Sequence, residues 1–262
     1  MSNLYEFTCS IVDHCNLNCR SCSSYAPLAS PWFMDEKDFE YDYAKLASLN
    51  AVVKQITLYG GEPLIHPNWH EFARITRRLF PDTRIQIVTN GVLLLQDFEN
   101  IWNKLEWYDI HLSVSYTTEN LVSSIKKLLS SKCGANIRWS IQPPKTFNLS
   151  PVDLLGQSDP NHYHTCSLDG CGTELSRGKL WACFMPAHVH HFNKYFNKDI
   201  EVTDKDFLDI HEVSSYDEII NFIKRTEPYP FCRWCKIGTP GLPGSPWSLS
   251  QKLIEEWTIE EK

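Results

Sequence analysis

Hydrophobic and polar residues alternate with two different periods along the first half of the chain. Short runs rich in β-branched residues fall at Glu6–Val12, Gln55–Tyr59, Arg84–Thr89, Asp109–Ser115 and Asn136–Gln142, and read as strands. Between them, Asp42–Leu49, Asn68–Phe80, Asp97–Leu105 and Glu119–Ser131 carry apolar residues at helical spacing. Strands alternating with helices of this length build βαβ units and a parallel sheet, whose functional loops lie at the C-terminal ends of the strands. The alternation stops at Pro143 and Pro144, and a Pro-, Asp-, Ser- and Asn-rich passage runs on to about Pro160. The chain therefore divides into an α/β core, 1–150, and a segment, 151–262, that is irregular and rich in Cys, His and aromatics. Helices are expected there only at Ser215–Arg225 and at the C-terminal Ser248–Trp257. A loop-rich segment of about 100 residues needs a staple, and a metal cluster supplies one.

Composition narrows the function classes. The 262 residues are 42% hydrophobic, enough for a packed core. No run approaches the ~20 apolar residues of a membrane span, and Met1–Glu6 lacks the layout of a signal peptide, so a cytoplasmic protein is expected. A net charge of −7 and a pI near 5.8 leave no excess of cations for phosphates, which disfavours a nucleic acid partner. Ten cysteines are many for a reducing compartment, where clustered thiols signal metal more often than disulfides. Three stand at 15, 19 and 22 and five at 166, 171, 183, 232 and 235; the isolated Cys9 and Cys133 read as small buried apolar residues.

Cys15-Asn-Leu-Asn-Cys19-Arg-Ser-Cys22 follows the first strand directly, so three thiolates sit on the loop at its C-terminal end. Thiolates hold iron–sulfur clusters, and three ligands on four irons leave one iron open to an external molecule. Zinc with His14 as a fourth ligand is the competing reading. Gly60-Gly61-Glu62-Pro63 follows the second strand, where two glycines let the backbone approach closely and a carboxylate can accept from an ammonium.

The Cys-x3-Cys-x2-Cys loop together with this glycine segment resembles the radical S-adenosylmethionine superfamily. The resemblance implies an α/β fold, a partial parallel (β/α)6 TIM-like barrel, with a [4Fe-4S] cluster on Cys15, Cys19 and Cys22. It also implies S-adenosylmethionine contacts from Gly60, Gly61, Glu62 and Pro63, from Asn90 at the end of the third strand, from Ser113 and Ser115 on the fourth, and from Arg138 opening the fifth. Ser115 stands where relatives often have an acid, and Ser21 where they tend to have an aromatic.

The later cysteines are similar in layout to the shorter, twitch form of the SPASM extension, which implies an auxiliary [4Fe-4S] cluster on Cys166, Cys183, Cys232 and Cys235. Cys171 is then a spare thiol, an alternative ligand, or a catalytic hydrogen donor in an epimerisation. Structural zinc on the same thiolates is the competing reading. His162, His164, His188, His190 and His191 crowd this region, and imidazoles there serve as packing, ligands or acid–base groups.

Such an enzyme cleaves its cofactor reductively to a 5′-deoxyadenosyl radical and needs an electron donor such as flavodoxin or ferredoxin. An auxiliary cluster points to net oxidation, a dehydrogenase-like oxidoreductase acting on a small polar molecule such as a sugar or cyclitol. Modification of a peptide or protein side chain is the alternative. A non-catalytic Cys-rich metal-binding interaction module is the reading from another class.

Overall fold

The computed structural model describes residues 6–115, 119–132, 138–142, 151–166, 173–236 and 247–258. Five parallel strands follow one another across the sheet: β1 (Glu6–Val12), β2 (Gln55–Gly60), β3 (Arg84–Thr89), β4 (Ile110–Ser115) and β5 (Trp139–Gln142). Their register pairs Cys9 with Leu58, Ile56 with Ile85, Ile87 with Leu112 and Val114 with Ile141. The crossovers are α1 (Glu36–Ser48), α2 (Trp69–Leu79), α3 (Phe98–Trp107) and α4 (Glu119–Ser130). Helix α1 starts six residues before the periodic run, because Asp35 caps it by accepting from the Lys37 N–H at 2.7 Å.

Strand side chains alternate between faces, and here the two faces differ in chemistry. Phe7, Cys9, Ile11, Ile56, Leu58, Ile85, Ile87, Ile110, Leu112 and Val114 join one buried cluster with Phe39, Tyr43, Phe72, Trp102, Leu105 and Ile125 from the helices. The other face carries Thr8, Ser10, Thr57, Tyr59, His111 and Ser113. A parallel sheet covered by core on both sides would be apolar on both; this one keeps a polar face, and the site lies over it.

The expected partial barrel is formed with one rearrangement. The sixth parallel strand, β6 (Thr173–Ser176), adds beside β1 rather than beyond β5, and β7 (Lys179–Trp181) and β8 (Phe207–Asp209) continue antiparallel, giving the order β5-β4-β3-β2-β1-β6-β7-β8. The β6–β7 turn is Arg177-Gly178, both at positive φ, as a two-residue hairpin with right-handed twist requires. Helix α5 (Phe184–Phe196) lies against β6 and β7, and α6 (Tyr216–Ile223) is capped by Ser215.

The expected C-terminal helix at Ser248–Trp257 does not form; its only helical part is a 3-10 turn, Ile254–Glu256. The Glu256 carboxylate accepts from Gln251 N–H at 2.7 Å and from the Ser250 hydroxyl, and this local bonding replaces a helical ladder. Trp257 then enters a second, smaller core with Tyr25, Leu28, Val152, Met185, Val189, Phe192 and Phe231, against which Cys166 and Cys183 pack. Trp257→Ala should remove the largest side chain of that core and cost about 3–5 kcal/mol, read as a lower urea midpoint for the iron-free chain.

Candidate functional site

The cysteine loop leaves the end of β1 and is pinned to the end of β2 by backbone. Gly61 N–H donates to Val12 O at 2.7 Å and Glu62 N–H to His14 O at 3.1 Å. A Cβ on Gly61 would stand 2.0 Å from His14 O, and one on Gly60, whose φ is +138°, 2.1 Å from Val12 O. Only glycines let the two strand ends approach this closely. Cys15, Cys19 and Cys22 line a cavity of about 380 Å³ together with Thr8, Thr57, Tyr59, Gly60, Gly61, Asn90 and Phe184. Burial pushes the Cys15 thiol up to about 12 and the Cys19 thiol to about 11.

Donors are already aimed at these sulfurs. Leu17 N–H is 3.3 Å and Asn90 Nδ2 3.5 Å from Cys15 Sγ, and Trp247 Nε1 is 3.2 Å from Cys19 Sγ. Such N–H groups serve thiolates that carry ligand charge, so the residues present fit a cluster with three thiolate ligands. His14 is engaged elsewhere: its Nδ1 accepts from Trp32 N–H and its ring packs edge-on against Phe33.

Glu62 does not face the cavity. Its carboxylate, fully buried, accepts from Thr89 Oγ1 at 2.7 Å, Asn90 N–H at 2.8 Å and Leu64 N–H at 3.0 Å, which ties the glycine segment to the end of β3. Pro63 opens the 3-10 turn behind it. Burial pushes the Glu62 carboxyl up to about 7, against the pull of these three donors.

The later cysteines gather in the second core. Cys183 stands directly before α5, Cys232 lies within the 3-10 turn Pro230–Trp234 and Cys235 directly after it, and Cys166 directly follows the turn Pro160–Thr165. Burial raises the Cys183 thiol well above its ordinary value, and charge on Cys235, Cys232 and Cys166 raises it further, so the four are electrostatic neighbours. None is in a disulfide.

Residues 9–132 match the family model described as the Radical SAM superfamily. This part of the chain belongs to the radical SAM superfamily. The family uses a [4Fe-4S] cluster and S-adenosylmethionine. Among solved structures, BtrN in complex with AdoMet and 2-DOIA superposes with a TM-score of 0.57 at 17% identity, covering 93% of this chain and 98% of that one. That likeness carries the fold. SuiB of Streptococcus suis covers 68% of this chain and 60% of its own at 13% identity and a TM-score of 0.36. The AdoMet- and peptide-bound anSMEcpe covers 52% and 42% at 15% identity and a TM-score of 0.38. Neither of these two adds to the fold assignment. No curated protein matches the chain by sequence.

The other residues marked by the radical SAM resemblance are spread unequally. Asn90 lines the cavity and also holds Asn16 Oδ1 at 2.7 Å. Ser113 is buried on the polar face of β4, opposite Val88 in register, and Ser115 ends that strand. Arg138 is exposed and directly precedes β5; in register it stands level with His111, Gln86, Thr57 and Thr8, and its charge is felt by His111 on the polar face. Cys171 and Cys133 lie outside the described residues.

A buried polar chain extends from the cavity wall. Tyr59 O–H donates to Glu174 Oε2 at 2.5 Å, and His188 Nε2 is 3.1 Å from both. Burial alone would raise Glu174, but His188, Tyr59 and Ser176 outweigh it and hold the carboxyl below its usual range. Beyond it, His191 Nε2 stands 3.3 Å from Asp13, and Arg177 Nη2 is 2.6 Å from both Asp13 oxygens. Burial alone would also raise Asp13; His191 and Arg177 instead bring it down to about 2. Asp13, His188 and His191 offer ligand atoms within 4.8 Å of one another. Arg177 already neutralises Asp13, so a cation entering there would face a guanidinium.

His162 and His164 lie in the turn before Cys166. Sequence reasoning missed Thr8, Thr57, Tyr59, Glu174 and Trp247. The period-two alternation of β1 and β2 marks the first three; the partners of Glu174 and Trp247 are set by tertiary structure.

Glu62 has a measurable signature. Its folded pKa is raised above that of an unfolded glutamate, so its stabilisation is complete below about pH 4 and lost as pH rises through about 7. Urea stability of the iron-free protein should fall between about pH 4 and pH 7 and level off above, and this contribution should vanish in Glu62→Gln, which should itself be less stable by about 1–3 kcal/mol for a mispaired buried bond.

Proposed function

We propose that this radical SAM protein is a dehydrogenase-like oxidoreductase acting on a small polar molecule, a sugar or cyclitol, with a second cluster as electron acceptor. The observation that carries this reading is the convergence of three cysteines, two glycines and a hydroxyl-lined strand face on one cavity, with the second cysteine group one residue from its wall at Phe184. Cys15, Cys19 and Cys22 would hold the first [4Fe-4S] cluster. A [4Fe-4S] cluster and S-adenosylmethionine bound there would together supply the one-electron chemistry for abstracting a hydrogen atom from substrate. Cys166, Cys183, Cys232 and Cys235 would hold the auxiliary [4Fe-4S] cluster, which supplies a one-electron acceptor.

The chain's own residues then divide the work. Gly60 and Gly61 leave backbone open toward the cofactor, and Asn90 fixes Cys15 and Asn16 at the rim. Thr8, Thr57 and Tyr59 offer hydroxyls to a hydroxyl-rich substrate. An alcohol carbon oxidised to a carbonyl also releases the hydroxyl proton, and Tyr59, bonded to Glu174 and His188, is placed to pass it on. A reducing protein of the flavodoxin or ferredoxin type supplies the first electron. BtrN, solved in complex with AdoMet and 2-DOIA, is a precedent on this fold for AdoMet and a second small molecule bound together.

Anaerobic reconstitution should give about eight irons and eight sulfides per chain; about four would remove the auxiliary cluster. Reduction with S-adenosylmethionine present should release 5′-deoxyadenosine, and Cys15→Ala, Cys19→Ala or Cys22→Ala should abolish it. Cleavage that persists in those variants would overturn the site assignment.

A further inference from the structure

The cysteine loop is clasped by the far end of the chain. Arg20 N–H donates to Ser248 O at 2.9 Å and Ser250 N–H to Asn18 O at 2.7 Å, so the backbone on both sides of Cys19 is paired with residues 248–250. Cys19 and Leu249 form an antiparallel bridge. Ser21 Oγ donates to Glu256 O, and Trp257 Nε1 to Cys22 O at 3.0 Å. At the head of this segment the Trp247 indole N–H points at Cys19 Sγ, 3.2 Å away.

Backbone pairing alone would account for a structural strap. The indole bond is different, because it ends on sulfur. A neutral N–H donor withdraws charge from a ligand sulfur, and the bond strengthens when an added electron makes that sulfur more negative. Hydrogen bonds to the sulfurs are one of the protein's levers on cluster potential. On Cys15 such donors come from within the α/β core, Leu17 and Asn90. On Cys19 the donor is a side chain 228 residues away.

We propose that Trp247 is a positioning residue for electron entry: its N–H···S bond to Cys19 raises the reduction potential of the cluster on Cys15, Cys19 and Cys22. This rests on the reading of those thiols as cluster ligands. The clasp holds the indole in place, since Ser248 and Ser250 fix the backbone on either side of Leu249 and Trp257 anchors the segment in the second core. The radical cluster is thereby tuned from the part of the chain that carries the second cysteine group.

The test is an EPR-monitored redox titration of reconstituted Trp247→Phe, which keeps an aromatic ring and removes the N–H. The cluster concerned is identified by the change S-adenosylmethionine makes to its signal; absence of any such signal in the unmodified protein would overturn the ligand reading itself. With that signal and full iron content present, the midpoint should move to more negative potential in Trp247→Phe. The share of reduced cluster at a fixed potential should fall with it. A midpoint that is unchanged or more positive overturns the proposal. Should Trp247→Phe lose iron, Trp247→His, which retains a ring N–H, must restore both iron and potential; failure to do so also overturns it. Ser250→Ala, which removes the hydroxyl bonded to Glu256 but keeps the main-chain bond to Asn18 that holds the clasp, should leave the midpoint where it is.

Discussion

The site depends on one close approach of backbone to backbone. Gly61 must lie so near His14 that no side chain fits between them, and two N–H···O bonds lock the end of β2 onto the loop that leaves β1. The cysteines cannot be displaced from the glycine segment without breaking those bonds, and Glu62 extends the same lock to β3 through Thr89 and Asn90. Three strand ends are thus held at fixed spacing by main-chain groups and one buried carboxyl. A loop carrying three thiols toward a common centre needs that rigidity, since its own sequence, Asn-Leu-Asn and Arg-Ser between the cysteines, provides no packing to hold it.

The two-faced sheet follows from the same arrangement. Stability comes from the helix side, where the alternating Phe, Ile, Leu and Val residues meet four amphipathic helices. The opposite side is then free to present Thr8, Thr57 and Tyr59 at the height of the cysteines. Helix α5 closes part of that side and brings His188 to Glu174 and Tyr59. Tyr59, Glu174 and the His188 Nε2 are paired with one another there, while His188 Nδ1 is buried without a hydrogen-bond partner among the described residues.

Much of this was legible before any coordinates. Strands β1 and β3 have the expected limits, and the cysteine loop and glycine segment fall where strand ends place them. Strands β6, β7 and β8 were not legible because four or three residues cannot display a period, and their order is decided by pairing with β1. Helix α5, Phe-Met-Pro-Ala-His-Val-His-His-Phe, hides because it is buried on several sides and lacks a clean polar stripe, while Pro186 is tolerated in its first turn. Ser248–Trp257 misled in the opposite direction: its helical spacing was overridden by bonds to Glu256 and to the cysteine loop. Glu62 was legible as a site residue but not in its direction, since nothing in the sequence tells whether a carboxyl turns toward a cavity or toward Thr89.

The two cysteine groups are one mechanical unit. Tyr25, wholly buried, feels charge from Cys235 and Cys183 on one side and Cys22 on the other, and its N–H donates to Cys22 O. Trp257 packs near Tyr25 and donates to the same carbonyl, while its own carbonyl accepts from Val152 N–H at 2.7 Å. Val152 in turn bridges to Cys235. The path from Cys22 to Cys235 therefore runs through buried aromatic rings and main-chain hydrogen bonds. Loosening the second group must disturb the geometry of the first, because both lean on Tyr25 and Trp257. The two cysteine groups are thereby held at a fixed spacing by aromatic rings and main-chain bonds rather than by the loops that carry them.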